Sequence, residues 1–112
     1  MKYAALATAV LVPIVAHAKA PPKCDHWPEM IAMAALKNAG LLDPAKVDQQ
    51  AIKATLLAAQ PMANGRYKEI YDIVYVSKTG ETVAEVITSN VASDEECSVS
   101  DVSTFVVSRH LP

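Results

Sequence analysis

The chain has no block of basic residues. Its Lys and Arg are scattered among a slight excess of Asp and Glu, giving a formal net charge of -2. Nucleic-acid binding through counterion release needs clustered cations, so that class of function is disfavoured. Beyond the N-terminal segment, no apolar run reaches the roughly 20 residues a membrane-spanning helix needs. No internal repeat, low-complexity tract, or dense methionine or histidine tract is present. Lys78-Thr79-Gly80 matches a strand motif of penicillin-interacting serine enzymes, but the companion Ser-x-x-Lys is missing, so these residues read as a turn. Asp94-Glu95-Glu96 lacks the spaced carboxylates and the glycine of a calcium loop and reads as a solvated acidic loop. There are only two cysteines. Cys24 lies near His26, and after N-terminal processing His110 is the only other histidine. A thiol enzyme needs a free Cys beside a His, and an exported chain favours a disulfide instead. No catalytic constellation emerges, and the expectation is a protein that is not an enzyme and needs no cofactor.

What is present begins with an export signal. Lys2 forms a short positive region, Ala4 to Val15 an apolar run, and Ala16-His17-Ala18 a small-x-small cleavage pattern. Residues 1–18 are expected to be a signal peptide cleaved after Ala18, with Ala20 as a second possible site. The mature chain, 19–112, is then a single domain of about 94 residues. A domain this small often needs a covalent staple. Two cysteines in an exported chain point to a Cys24–Cys97 disulfide. Closing a loop of about 74 residues would be worth roughly 4.4 kcal/mol in the chain-entropy model.

The chain is organised around the stretch from Tyr67 to Val91. Two runs rich in β-branched and aromatic residues flank Lys78-Thr79-Gly80, the pattern of a β-hairpin with a three-residue loop. The first strand is expected over Tyr67–Ser77 and the second up to about Val91, with Tyr75 facing Val83, Ile73 facing Glu85 and Tyr71 facing Ile87. A third strand is expected from about Val99 to His110. Upstream, Asp25 and Pro28 open a helix over Trp27–Asn38 that stops at Gly40. Asp43 and Pro44 open a second helix running to about Ala59, with Leu42 and Val47 at hydrophobic-staple spacing. The expected fold is α+β, an N-terminal helical hairpin on one face of a three-stranded antiparallel meander.

Two candidate sites follow from this layout. Alternation assigns Tyr67, Tyr71, Ile73, Tyr75, Val83, Ile87, Val91, Phe105 and Val107 to the core face. Glu85 on that face argues against the assignment, and Asp72 argues against its converse. The opposite face keeps Val74, Val76, Val86, Val102 and Val106 among threonines and serines, an apolar stripe suited to binding a partner. Separately, His26, Met30 and Met33 fall at i, i+4 and i+7 of the first helix, a soft donor set that suits Cu(I). The alternative for the methionines is that they fill core gaps. Tyr67, Tyr71 and Tyr75 could stack bases or sugars only if their face were open.

Pro22-Lys23-Cys24, the Ala-rich helix straight after it, a late antiparallel sheet and a second cysteine near the end together resemble the layout of the small exported proteins typified by YebF and the colicin M immunity protein. The resemblance implies a periplasmic or secreted single-disulfide α+β domain that acts by protein–protein contact, and it carries over only the pair Cys24 and Cys97. The combined expectation is an exported bacterial protein-binding domain with an inhibitor, immunity or accessory role. Its partner is then another protein in the cell envelope or outside the cell. The alternative is a periplasmic copper carrier.

Overall fold

The structure is a computed structural model and describes residues 20–107. The expected signal peptide, its cleavage site at Ala18, and His110 at the far end of the expected third strand lie outside the described residues. The described chain folds as one α-helix followed by a four-stranded antiparallel sheet of order β1-β2-β3-β4. The α+β class holds, but two helices and three strands do not.

Helix α1 spans His26–Asn38. Pro28, Ala32 and Leu36, spaced one helical turn apart, are its buried stripe. Asp25 precedes the helix but makes no side-chain capping bond. The C-terminus closes as anticipated. Leu41 N–H donates to the Leu36 carbonyl at 2.9 Å and Gly40 N–H to the Lys37 carbonyl at 3.0 Å. This double bond pattern needs a left-handed residue, and Gly40 supplies it at φ 73°.

The expected second helix does not form. Asp43 and Pro44 do start a turn, with Asp43 Oδ1 accepting from Ala45 N–H at 3.0 Å, but it is a single 3-10 turn over Pro44–Lys46. Asp48 starts another over Gln49–Ala51, accepting from Gln50 N–H at 3.1 Å. Between them Val47 is extended and buried, bridging to Ser77, and Asp48 N–H donates to the Val76 carbonyl. The rest of the supposed helix is strand β1, Lys53–Pro61. Helix propensity is a weak prior that tertiary context overrides. Here a helix would leave the outer backbone groups of β2, Arg66–Val76, unpaired, whereas β1 satisfies them along the strand.

The β2–β3 connection decides which side chains enter the core. The loop has the expected length, and Ser77 N–H donates to the Glu81 carbonyl at 2.7 Å, with Gly80 at φ 90°. Val76 then pairs with Thr82. In β3, Thr82–Ser93, Val83 is an extra residue, so Tyr75 pairs with Ala84 rather than Val83. That bulge carries through the ladder, giving Ile73 opposite Val86 and Tyr71 opposite Thr88. A one-residue slip exchanges the faces of the whole strand. Val86, expected on the open face, is therefore fully buried, while Ile87 and Val91 leave the core. The slip also removes Glu85 from the core face and sets a valine there instead.

Tyr71, Ile73 and Tyr75 are buried as expected, against Ala32, Leu36, Leu42, Val47 and Val86. The Tyr75 hydroxyl donates to the Glu29 carbonyl at 2.6 Å, which satisfies its one polar atom. Strand β4 is short, Ser103–Val106, and pairs Val106 with Val86 and Phe105 with Ile87. Phe105, expected in the core, therefore lies on the face away from α1. The Cys24–Cys97 disulfide is present, with Cα atoms 5.4 Å apart and a sequence separation of 73. It ties the entrance of α1 to the loop between β3 and β4.

Reduction, or Cys97→Ala, should lower the unfolding free energy by roughly 2–5 kcal/mol in urea titrations. Val86→Lys should abolish cooperative unfolding, because it places an unpaired charge in the core. Val74→Lys, on the other face, should shift stability by less than about 1 kcal/mol.

Candidate functional site

With α1 on one side of the sheet, the other side is uncovered among the described residues. Register places the side chains of this open face. In the centre, Asp72 of β2 lies between Thr55 of β1 and Ile87 of β3, and Phe105 of β4 lies beyond Ile87. One step along, Val74 lies between Lys53 and Glu85. One step the other way, Ile70 lies between Ala58 and Ser89. Phe105 is 61% exposed. Ile70, Val74, Ile87 and Val91 are half-buried. The result is an apolar surface across β2, β3 and β4, bordered by lysine on β1.

A carboxylate pair sits inside that surface. Asp72 and Glu85 are diagonal neighbours on adjacent strands of one face. The Glu85 carboxyl is raised above the usual carboxylate range, chiefly by its hydrogen bond with Asp72, then by burial and by the Asp72 charge. Asp72 Oδ1 is itself buried and has no hydrogen-bond partner within the protein. Like charges on neighbouring strands destabilise a sheet, so the pair costs stability unless it holds a proton between the two groups.

The expected site residues separate on this geometry. Val74 and Val76 are half-buried on the open side of β2. Val86 is in the core. Val106 sits opposite Val86 and so shares the helix side, at the edge and exposed, and Val102 is half-buried just before β4. The stripe expected from alternation is therefore not one surface. Ile87 and Phe105 take the places of Val86 and Val106. The sequence held a signal for this: Asp72 and Glu85 each argued against one face assignment, and one extra residue after the turn puts both on the same open face.

His26 and Met30 are exposed on α1. Met33 is half-buried, packs against the core, and its Sδ accepts from Gln49 Nε2 at 3.7 Å. Among the described residues no cluster of three or more His, Cys, Asp or Glu is placed to hold a metal. Tyr71 and Tyr75 are buried with their hydroxyls bonded inward, so the tyrosines do not form a stacking platform. The acidic loop Asp94–Glu96 lines an open groove of about 840 Å³ with Asn64, Arg66 and Val99. Among the described residues no helix is long and apolar enough to cross a membrane. Comparison with protein-family models, with curated proteins and with solved structures finds no match to this chain.

The acid pair has a pH signature. A carboxyl raised in the fold contributes stability that is full below its unfolded pKa and is lost as pH rises through its folded value. Asp72→Asn removes the charge that raises Glu85. The variant should therefore be more stable than the parent at pH 7, by about 0.5–1 kcal/mol. The gap should close toward pH 4, as read from urea unfolding at a series of pH values.

Proposed function

We propose that this protein is an exported, non-catalytic protein-binding domain with an inhibitor, immunity or accessory role. In this reading its docking surface is the open face of the sheet. The observation that carries the reading is the mismatch between one helix and four strands. Helix α1 covers one face only, and the other keeps Ile70, Val74, Ile87 and Phe105 facing outward. A contiguous apolar patch of this kind marks an interaction site more often than an ordinary solvated strand face does. Phe105 is the natural anchor, since large exposed aromatics dominate binding energy at interfaces. The polar groups around the patch, Lys53, Asp72, Glu85 and Ser89, would supply orientation.

Export rests on the N-terminal pattern of Lys2, Ala4–Val15 and Ala16-His17-Ala18, and on the disulfide, which belongs to oxidising compartments. The partner is then another protein of the cell envelope or the outside of the cell. The resemblance of the sequence layout to that of YebF and the colicin M immunity protein points to the same reading.

Site-specific photo-crosslinking in the cells that make the protein tests the surface. A photo-reactive phenylalanine analogue at position 105 should give a discrete adduct, and Ile87→Lys in the same chain should reduce its yield at least tenfold. The same analogue at position 35, exposed on α1, should give none. Adducts from position 35 with none from 105 would move the docking surface to the helix.

A further inference from the structure

The core face of the sheet changes chemistry along its length. Ile73 and Val86 form an aliphatic row beneath α1. The next row toward the disulfide pairs Tyr71 with Thr88, and Thr88 in turn with Thr104. The row beyond that pairs Glu69 with Asn90. Glu69 and Thr88 are 0% exposed and Asn90 is 3% exposed. The disulfide closes this end. Asn90 Nδ2 donates to the Cys97 carbonyl at 3.2 Å. The Cys24 N–H donates to the Tyr71 hydroxyl at 3.4 Å, and that hydroxyl donates to Glu69 Oε1 at 3.4 Å.

These bonds leave polar atoms over. Glu69 Oε2, Asn90 Oδ1, Thr88 Oγ1, Thr104 Oγ1 and Trp27 Nε1 are all buried without a partner in the protein. Four of them lie on adjacent register positions of the core face, and Trp27 belongs to the first turn of α1, which packs over β3 and β4. Each buried group left without a partner carries its full desolvation penalty. Five together would consume most of the stability a domain of this size has. A ligand that supplies both donors and acceptors removes that cost. Trp27 Nε1 can only donate, Asn90 Oδ1 can only accept, and the threonine hydroxyls do either. Water donates two hydrogen bonds and accepts two, and buried waters typically make two to four. A metal cation would accept no bond from the indole N–H and would demand an ionised Glu69.

We propose that the interior beneath the Cys24–Cys97 disulfide is a water-binding site, in which ordered water bridges Trp27 Nε1, Thr88 Oγ1, Asn90 Oδ1 and Glu69 Oε2. Glu69 is the acidic member of this network, and its burial disfavours the charged form. Neither strand beside it brings a cation opposite: β1 places Ala59 there and β3 places Asn90, and ahead of α1 the Asp25 charge acts on it. Burial holds its carboxyl above the usual range and the Asp25 charge adds to that, against the opposing bond from Tyr71.

Oxygen-17 magnetic relaxation dispersion on the intact, oxidised protein counts long-lived internal water directly. At least one such water is expected, and Thr88→Val or Asn90→Leu should lower the count. If those variants fail to fold, Glu69→Gln serves instead. It should keep the long-lived water and unfold at a higher urea concentration than the parent at pH 8. Dispersion no greater than that of surface hydration would overturn the proposal. So would a melting temperature that rises with sodium chloride but not with choline chloride and loses that response in Glu69→Gln, which would assign the site to a monovalent cation.

Discussion

Val83, the extra residue in β3, fixes the chemistry of both faces of the sheet. Before it, the ladder follows the geometry of the Ser77–Glu81 turn; after it, every pair is displaced by one. Because strand side chains alternate with period two, the displacement changes all of β3 at once. It delivers Val86 to Ile73 and Thr88 to Tyr71, and it sends Glu85, Ile87 and Val91 outward. The apolar core, the polar interior near the disulfide and the open face with its acid pair are three consequences of one bulge. A ladder without it would bury Glu85 beside Ile73, a charge in the middle of an aliphatic core, at a cost no partner in that layer offsets.

The two ends of the core are held by different means. Under the later turns of α1, burial of Leu36, Ile73, Tyr75 and Val86 provides ordinary hydrophobic cohesion. Toward Cys24 the same face carries Glu69, Thr88 and Asn90, which contribute little of that kind. Here the disulfide substitutes for apolar packing, acting through the loop of the unfolded chain rather than through contacts in the fold. Its backbone also joins the polar network, through the Cys24 N–H and the Cys97 carbonyl. A polar interior of this sort is tolerable when it is closed and satisfied, and the bridge closes it.

The parts legible in the sequence were those with strong local signals. Gly40 after an Ala-rich run gave the helix end, Lys78-Thr79-Gly80 gave the turn, and the cysteine pair gave the bridge. Asp43 with Pro44 does cap a start, but of a single turn and not of a long helix, because the continuation is decided by the unpaired edge of β2, a partner distant in sequence. The open face was half legible. Val74 and Val76 follow from alternation in β2 alone, whereas Ile87 and Phe105 depend on the bulge, which has no glycine or other punctuation to announce it. The conflict between Asp72 and Glu85 was the one trace it left in the sequence.

A meander of four strands offers two kinds of surface to a partner, its face and its edges. Edge pairing uses backbone groups and favours long, flat, unobstructed strands. Neither edge here is of that type. β1 is interrupted by a register shift between Leu56 and Ala58 and ends in Pro61, which has no N–H to give. β4 has four residues, too few for an extended ladder. The face has the opposite properties: it is continuous over β2, β3 and β4, its apolar groups are held by a hydrogen-bonded ladder, and Phe105 projects from it. A partner that seats on the face also meets Asp72 and Glu85, whose mutual repulsion a cationic group would relieve. The same two carboxylates disfavour stacking of two such faces on each other with the acid pairs aligned. On the proposed reading, the sheet offers a partner the side chains of its open face in preference to its edges, and the acid pair disfavours a second copy in that aligned arrangement.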